Sequence, residues 1–116
     1  MIKVVALLKR KPGLTSEEFS AHYFERHAPL FRAVVPDEVA VGIVHYVQNH
    51  AVAVGGGRFE PPYDCVTEMG FADRAAMARW KEFYEGPGGE PLRRDEERFM
   101  DRDARVVVVT EERVPA

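Results

Sequence analysis

The hydrophobic pattern of this chain changes period along its length, and four short stretches carry the pattern of β-strands. Val, Leu and Ile are frequent in the first, second and fourth stretches, and polar residues alternate with apolar ones in the second. A turn at Pro12-Gly13 closes the first stretch. The last stretch contains four consecutive valines, Val106 to Val109. The predicted strands are residues 2–9, 41–50, 63–71 and 105–110.

Two longer stretches show the period of amphipathic helices. In the first, Thr15 stands three residues before Glu18, which fits a capping box, and the helix is predicted to run to about His27. Pro29 disfavours helical geometry at the residue before it, so the helix should end, kink or restart there. In the second, Asp73 is the predicted N-cap of a helix whose apolar face consists of Ala76, Met77, Trp80, Phe83 and Tyr84. Residues 91–99 form a short charged helical turn, of which Glu96, Glu97 and Arg98 are predicted to be a solvated face.

The resulting order, β-α-β-β-α-β, is typical of a ferredoxin-like α+β fold with a four-stranded antiparallel sheet. Two helices cover only one face of such a sheet. Because the first and last strands are apolar on both faces, the second face is expected to meet another copy of the chain in a twofold homodimer. The Gly- and Pro-rich stretch from 51 to 62 predicts a mobile loop that forms a flexible tip or a lid.

Length and composition limit the functional classes. A chain of 116 residues is long enough for one domain, predicted over 1–116. The net charge of -3 argues against nucleic-acid binding, which needs a clustered basic face. The only cysteine, Cys65, allows no intrachain disulfide and argues against a thiolate zinc site. The apolar run at the N-terminus is too short for a signal peptide or a membrane span, so a reduced, cytoplasmic protein is predicted.

Residues 19–30, FSAHYFERHAPL, contain the most informative polar side chain. Tyr23 and His27 are four residues apart, about 40° around an α-helix, so both are predicted to face the sheet. A neutral imidazole in an apolar pocket can act as a general base, whereas the structural alternative is a core histidine bonded to backbone. His22, roughly 140° from His27, is not expected to pair with it.

Further candidates lie on the predicted strands. Tyr46, Gln48 and His50 share one face of the second strand and would line a pocket, an edge or a dimer contact. Asp64 and Glu68 share one face of the third strand, where each carboxylate needs a partner. An arginine across the dimer is one partner, and the alternative for Glu68 is acid-base work in the pocket.

Two roles are predicted for Trp80: packing in the core, and forming part of a pocket wall. The four histidines form no i,i+4 pair on a helix and no HExxH motif, so no metal site is predicted.

Four segments together resemble the EthD family of the dimeric α/β-barrel superfamily. They are the opening MIKVVALLKRKPGLTSEEFSAHYFERHAPL, YVQNH at 46–50, PYDCVTEMGF at 62–71 and the ERFMDRDA...VVVVTEE ending. The family's HAPL motif falls on residues 27–30, its preceding aromatic on Tyr23, its QNH element on 48–50 and its acidic strand position on Asp64. The resemblance implies a dimer and a small apolar pocket between helices and sheet in each subunit.

These observations predict a small enzyme that acts on an apolar oxygenated or aromatic molecule by proton transfer, without a bound redox cofactor. His27 would be the general base, with Tyr23 and Tyr46 as polar contacts and His50 or Glu68 as a second proton-handling group. Dehydration, cyclisation and isomerisation fit these residues. Three alternatives stay open: a cofactor-independent monooxygenase, a non-catalytic protein that holds a hydrophobic ligand for a partner enzyme, and a purely structural dimer whose pocket is filled by its own side chains. The predicted ligand-binding residues are Tyr46, Gln48, Asp64 and Trp80.

Overall fold

The computed structural model describes residues 1–57 and 60–116, which form a four-stranded antiparallel sheet with helices packed on one face. The strand order β2-β3-β1-β4 is that of the ferredoxin-like fold, so the predicted fold class is confirmed. Each strand lies within two residues of its predicted bounds. The strands are β1 (Ile2–Leu8), β2 (Ile43–His50), β3 (Cys65–Phe71) and β4 (Val106–Glu111).

The helices begin at the capping residues that the sequence indicates. Thr15 Oγ1 accepts a hydrogen bond from the Glu18 amide at 3.1 Å, and Glu18 Oε1 accepts one from the Thr15 amide at 2.9 Å. Asp73 Oδ1 accepts a hydrogen bond from the Ala76 amide at 2.8 Å. The α-helices are α1 (Ser16–His22), α2 (Ala28–Val34), α3 (Asp37–Ala40), α4 (Arg74–Glu85) and α5 (Glu90–Phe99).

A π-helical segment, Tyr23–His27, joins α1 to α2, so the chain stays helical through Ala28. The Ala28 amide donates to the Tyr23 carbonyl, five residues earlier, in place of the usual four-residue bond. Pro29 has no amide hydrogen, and its ring would crowd the carbonyl four residues before it in a regular α-helix. The wider π turn accommodates that ring, which is why the helix restarts at Ala28 and does not end there.

The two faces of the sheet differ in what covers them. Val4, Ala6 and Leu8 of β1 face the helices, together with Thr67 and Met69 of β3. The opposite face, here called the open face, carries the alternate residues of every strand: Lys3, Val5, Leu7, His45, Val47, Asn49, Val66, Glu68, Val106 and Val108. The four valines of β4 are 41% to 55% exposed. A single chain therefore does not bury the apolar side chains of this strand, which the sequence analysis predicted to be covered on both faces.

The Gly- and Pro-rich loop follows β2. Within it, Gly55–Gly57 form a 3-10 turn in which every glycine has a positive φ, a conformation that other residues rarely adopt. Residues 58 and 59 lie outside the described residues, so the mobile tip or lid stays a prediction. In the described part of the chain, no helix has the length and apolarity needed to cross a membrane.

Candidate functional site

A cavity of about 530 Å³ lies between the helices and the covered face of the sheet. Most of its wall is apolar and comes from both layers; typical lining residues are Val4, Ala6, Phe31, Met69, Trp80 and Val107. Polar side chains, His27 among them, make up the smaller part of the lining. Apolar walls with a small number of placed polar groups are typical of small-molecule sites.

His27 is held by a carboxylate that the sequence analysis did not identify. Its Nδ1 lies 2.8 Å from Oδ2 of Asp95, a residue of α5, and the imidazole is only 5% exposed. Because a carboxylate accepts hydrogen bonds, this contact places a proton on Nδ1, which leaves the lone pair of the neutral ring on Nε2. Within residues 1–57 and 60–116, Nε2 hydrogen-bonds nothing and is not closed off, and the side chain lines the cavity. The imidazole therefore offers a proton acceptor to whatever occupies the cavity.

His22 binds the same carboxylate, contrary to the prediction that it would not pair with His27. Its Nε2 lies 3.0 Å from Oδ1 of Asp95. The prediction used the α-helical repeat, but the five residues after His22 form a π-helix, in which positions i and i+5 come together. Burial alone would raise the pKa of Asp95, but the hydrogen bonds from His27 and His22 outweigh it and lower that pKa. Asp95 is therefore anionic at neutral pH.

Two tyrosines border His27 in the cavity. The Tyr23 ring lies 5.7 Å from the His27 ring, and its hydroxyl is 2.7 Å from Thr67 Oγ1. Burial raises the pKa of Tyr23 and that of Tyr46, so both hydroxyls stay protonated at neutral pH. Gln48 Nε2 donates to the Tyr46 hydroxyl at 3.2 Å, which leaves the Tyr46 proton available to a ligand.

His50 is connected to the cavity indirectly. Its Nδ1 lies 2.9 Å from Ser20 Oγ and its Nε2 lies 2.9 Å from Gln48 Oε1, so both ring nitrogens already have partners. Burial lowers its pKa, which favours the neutral ring. Through Gln48, His50 reaches Tyr46, and it does not itself line the cavity.

The structure does not bring the two predicted strand carboxylates to His27. Thr67 and Met69 line the cavity, so Glu68 between them points to the open face. There it bonds Lys3 at 2.8 Å, and Lys3 first, then Asn49, hold its pKa down at about 2. Asp64, just before β3, accepts from the backbone and the guanidinium of Arg10 at 2.8 and 3.0 Å. Both carboxylates thus find cationic partners within one chain, where an arginine across a dimer had been considered.

Helix α5 supplies the polar residues that the sequence analysis missed. Glu96 was assigned to a solvated face, which is wrong, because it is only 6% exposed and lines the cavity. The signal was present in the spacing: Leu92, Asp95, Glu96 and Phe99 occupy positions i, i+3, i+4 and i+7, the buried stripe of an amphipathic helix. Glu96 was assigned from its charge alone, and Asp95 was given no role, although both lie in that stripe.

Trp80 packs in the core and also forms part of the cavity wall, so both interpretations apply. Its ring lies 5.3 Å from Phe31 and 5.5 Å from Tyr84, and it lines the cavity. Among the described residues, no group of three or more His, Cys, Asp or Glu is arranged to hold a metal ion.

Comparison with known proteins relates this chain to one family. The family model described as EthD domain matches residues 11–103. An ethyl tert-butyl ether D (EthD) family protein from Bacillus halodurans C-125 superposes with a TM-score of 0.66 at 23% identity, over 97% of this chain and 99% of that chain. An Arabidopsis thaliana protein superposes with a TM-score of 0.65 at 16% identity, over 100% and 99% of the two chains.

A dimeric protein of unknown function from Bacteroides fragilis has the same ferredoxin-like fold, with a TM-score of 0.58 at 13% identity, over 96% of this chain and 95% of that chain. No curated protein matches the sequence. The structural likenesses show a shared fold, while the family model covers most of the chain. The chain belongs to the EthD domain family.

Proposed function

We propose that this protein is a small enzyme that transfers protons on an apolar oxygenated or aromatic molecule held in the cavity, without a bound redox cofactor. One observation carries the proposal: His27 presents Nε2 to an apolar cavity while Asp95 holds Nδ1 at 2.8 Å. A base oriented by a buried carboxylate is the arrangement that general-base catalysis requires.

The reaction would begin with a carbon acid next to a carbonyl group. Nε2 of His27 takes the proton, and the anionic Asp95 stabilises the imidazolium that forms. The free proton of Tyr46 donates to the oxygen on which negative charge develops. His27 then returns the proton to another carbon in an isomerisation, or to a departing hydroxyl in a dehydration. In a cyclisation the carbanion attacks a second carbonyl.

Other candidate residues take supporting places in this proposal. Tyr23 packs against the His27 ring, and its protonated hydroxyl adds a second polar contact in the cavity. His50 is a positioning residue, because it fixes Gln48, which in turn fixes the Tyr46 hydroxyl. Glu68 and Asp64 have no part in the chemistry, since each is engaged with a cation away from His27.

The protein is also proposed to work as a homodimer, joined through the open face. Val5 pairs with Val108, and Leu7 with Val106, so a strip of apolar residues crosses the two neighbouring strands. Exposed strips of this kind mark interaction sites, and a second copy supplies a matching strip by twofold symmetry. A protein of the same fold from Bacteroides fragilis is dimeric, which supports association of two copies.

Hydrogen exchange tests the catalytic proposal without knowledge of the natural reaction. 2-Tetralone, a bicyclic aromatic ketone, is incubated with the protein in deuterated buffer, and deuterium uptake next to its carbonyl is followed by mass spectrometry. The wild type is expected to accelerate uptake, and His27→Gln to lower the protein-dependent rate by about 10²- to 10⁴-fold. Trp80, the single tryptophan, lines the cavity, so quenching of its fluorescence reports occupancy separately.

The two readouts together separate an enzyme from a binding protein. An enzyme is indicated when His27→Gln still quenches Trp80 fluorescence on adding 2-tetralone but no longer accelerates exchange. A non-catalytic ligand-binding protein, which the apolar lining also fits, is indicated when wild type and variant bind equally and neither accelerates exchange.

A further inference from the structure

A second polar cluster lines the cavity, separate from the His27–Asp95 pair. Its members come from three parts of the chain: Tyr84 lies in α4, Glu96 lies in α5, and Arg105 immediately precedes β4. Tyr84 donates its hydroxyl proton to Glu96 Oε1 at 2.5 Å, and Arg105 Nη1 lies 3.1 Å from the same hydroxyl and 3.3 Å from Oε1. Arg102 Nε approaches Oε1 at 3.8 Å.

The Tyr84 hydroxyl shows how this cluster binds a phenol. The hydroxyl donates a hydrogen bond to the carboxylate of Glu96 and accepts one from the guanidinium of Arg105. Burial and then the Glu96 carboxylate raise the pKa of Tyr84, so this phenol stays protonated and serves as the donor. A carboxylate beside a guanidinium therefore meets both requirements of one hydroxyl group.

Glu96 and Arg105 each use only one terminal atom of the side chain in these hydrogen bonds. All polar contacts of the Glu96 side chain within the described residues are made by Oε1, although the side chain is just 8% exposed. Oε2 has no hydrogen-bond partner there and is not closed off, and Glu96 lines the cavity. Arg105 likewise uses only Nη1 in the described contacts. A bound ligand that excluded water from this oxygen without offering a donor would pay a desolvation cost, so a ligand that brings a donor is favoured.

We propose that Glu96 Oε2 and Arg105 form a hydroxyl-binding subsite, and that the ligand carries a phenolic or alcoholic hydroxyl group there. The hydroxyl would copy the Tyr84 arrangement, donating to Oε2 and accepting from the guanidinium. A ligand carboxylate would be repelled by Glu96, and a ketone or ether oxygen would leave Oε2 without a donor. The chemistry of the subsite thus selects a hydroxyl over these other oxygen groups.

This inference rests on the proposed function only in assigning the two ends of the ligand. Asp95 and Glu96 are consecutive in α5, and they organise different clusters: Asp95 binds His22 and His27, while Glu96 binds Tyr84 and Arg105. The ligand's reacting carbon would lie by His27 and its hydroxyl by Glu96, with the apolar body between them. The substrate class is therefore a hydroxylated aromatic or alicyclic carbonyl compound.

Three matched ketones test the subsite by isothermal titration calorimetry. They are 6-hydroxy-2-tetralone, 6-methoxy-2-tetralone and unsubstituted 2-tetralone, of which only the first can donate a hydrogen bond from its far end. Wild-type protein is expected to bind the hydroxy compound about 10- to 100-fold more tightly than the methoxy compound. Glu96→Gln is expected to reduce this ratio to about threefold or less, since the neutral amide gives a weaker acceptor.

Two further variants separate the subsite from general damage to the fold. Tyr84→Phe disturbs the occupied half of the cluster and leaves Oε2 in place, so the preference for the hydroxy compound should persist. Arg105→Met removes the other partner of the hydroxyl and should lower the ratio, which keeps the test available if Glu96→Gln does not fold. Glu97→Gln, at the exposed neighbour, should change nothing.

Equal affinity of wild type for the hydroxy and methoxy compounds, or failure to bind the hydroxy compound, would overturn the subsite. So would a preference that survives both Glu96→Gln and Arg105→Met. The catalytic proposal fails on a different measurement, deuterium exchange in wild type and His27→Gln. A hydroxyl preference without exchange would leave the subsite standing and remove the general base.

Discussion

At the scale of single residues, His27 depends on neighbours that hold the imidazole in one orientation. Asp95 binds Nδ1, and the rings of Tyr23 and Phe99 lie 5.7 and 5.1 Å from the imidazole ring. His22 stacks on Phe99 at 4.7 Å and occupies the other oxygen of Asp95. Such outer contacts fix the tautomer of a catalytic histidine, so Asp95 is expected to matter nearly as much as His27.

Replacing Asp95 with Asn tests this positioning role. The amide is uncharged, so it no longer stabilises the imidazolium, and its NH2 group can donate to Nδ1 and favour the wrong tautomer of His27. Protein-dependent exchange of 2-tetralone should therefore fall by about 10²-fold or more. Dissociation constants from Trp80 fluorescence should change little. The control is Arg98→Gln, which removes an exposed cation 3.7 Å from Asp95 and leaves both histidine hydrogen bonds. Comparable losses of exchange and of binding in Asp95→Asn would point to structural damage and contradict the positioning role.

Glu68 gives a prediction about acid stability. Lys3, followed by Asn49, lowers its pKa to about 2 in the folded protein, against roughly 4.3 in an unfolded chain. A depressed carboxyl pKa adds stability above the unfolded value, and that stability is lost as the pH falls toward 2. Because these groups are partly exposed, the contribution is only about 1 kcal/mol.

The measurement is urea unfolding of wild type and Glu68→Gln at several pH values. The variant should be less stable at pH 7, and the difference should shrink between about pH 4.3 and pH 2. A stability difference that is constant over this range would show that Glu68 carries no depressed pKa.

At the scale of elements, two helical segments form the site: the one that carries Tyr23 and His27, and α5. The sequence indicates the first more clearly than the second. The pairing of Tyr23 with His27 followed from their spacing, and both are buried on the side that faces the sheet. The π-helical segment could not be predicted, because the sequence indicates only that the helix is irregular near Pro29. That segment brings His22 onto the same carboxylate as His27. Because the π turn was not predicted, the shared contact of His22 and His27 with Asp95 was not predicted either.

Helix α5 shows why charged residues in a short helix are hard to place from sequence. Seven of its ten residues are charged, a composition typical of a solvated helix, yet Asp95 and Glu96 lie in the buried stripe set by Leu92 and Phe99. Their burial depends on partners that are distant in sequence, His22 and Arg105. A periodic pattern can locate such a stripe, but it cannot supply the partners that make a buried carboxylate stable.

The link between α4 and α5 gives a prediction about packing. A Cβ atom on Gly89 would lie 2.1 Å from the Tyr84 carbonyl oxygen, a backbone atom of the preceding helix that cannot move alone. Gly89→Ala should therefore lower the free energy of unfolding by about 1–3 kcal/mol, as overpacking does. Thermal unfolding followed by circular dichroism measures the change.

Gly88→Ala is the matched control for that experiment. Its Cβ would approach the Phe83 ring at 2.7 Å, and Phe83 is a side chain that can turn aside. This substitution should cost clearly less than Gly89→Ala. If both substitutions cost the same, the close backbone approach at Gly89 does not govern the packing of α4 against α5.

At the scale of the whole molecule, the order of strands and helices followed from hydrophobic periodicity, and the sheet order β2-β3-β1-β4 agrees with it. The cavity could not be predicted to the same degree, because it depends on how side chains from α4, α5 and β4 leave space between them. Strand alternation placed Asp64 and Glu68 away from Thr67 and Met69, but only the assembled sheet shows which face meets His27.

The open face yields a prediction about assembly. Val108 lies on this face beside Val5, so Val108→Asp should place a charge within the proposed dimer contact and prevent association. Wild type is expected to be a dimer by native mass spectrometry at micromolar concentration, and Val108→Asp a monomer. Val114→Asp is the control, because Val114 is 81% exposed beyond the end of β4. A monomeric wild type, or a variant as dimeric as wild type, would contradict the proposal.

The most direct test of the central claim is a crystal structure of the protein purified from its source, or soaked with 2-tetralone. The account predicts an oxygenated apolar molecule in the cavity, with a reactive carbon or an oxygen within about 3.5 Å of His27 Nε2, as proton transfer requires. A cavity closed by its own side chains would contradict the claim. So would a ligand bound elsewhere while His27 Nε2 bonds only to the backbone.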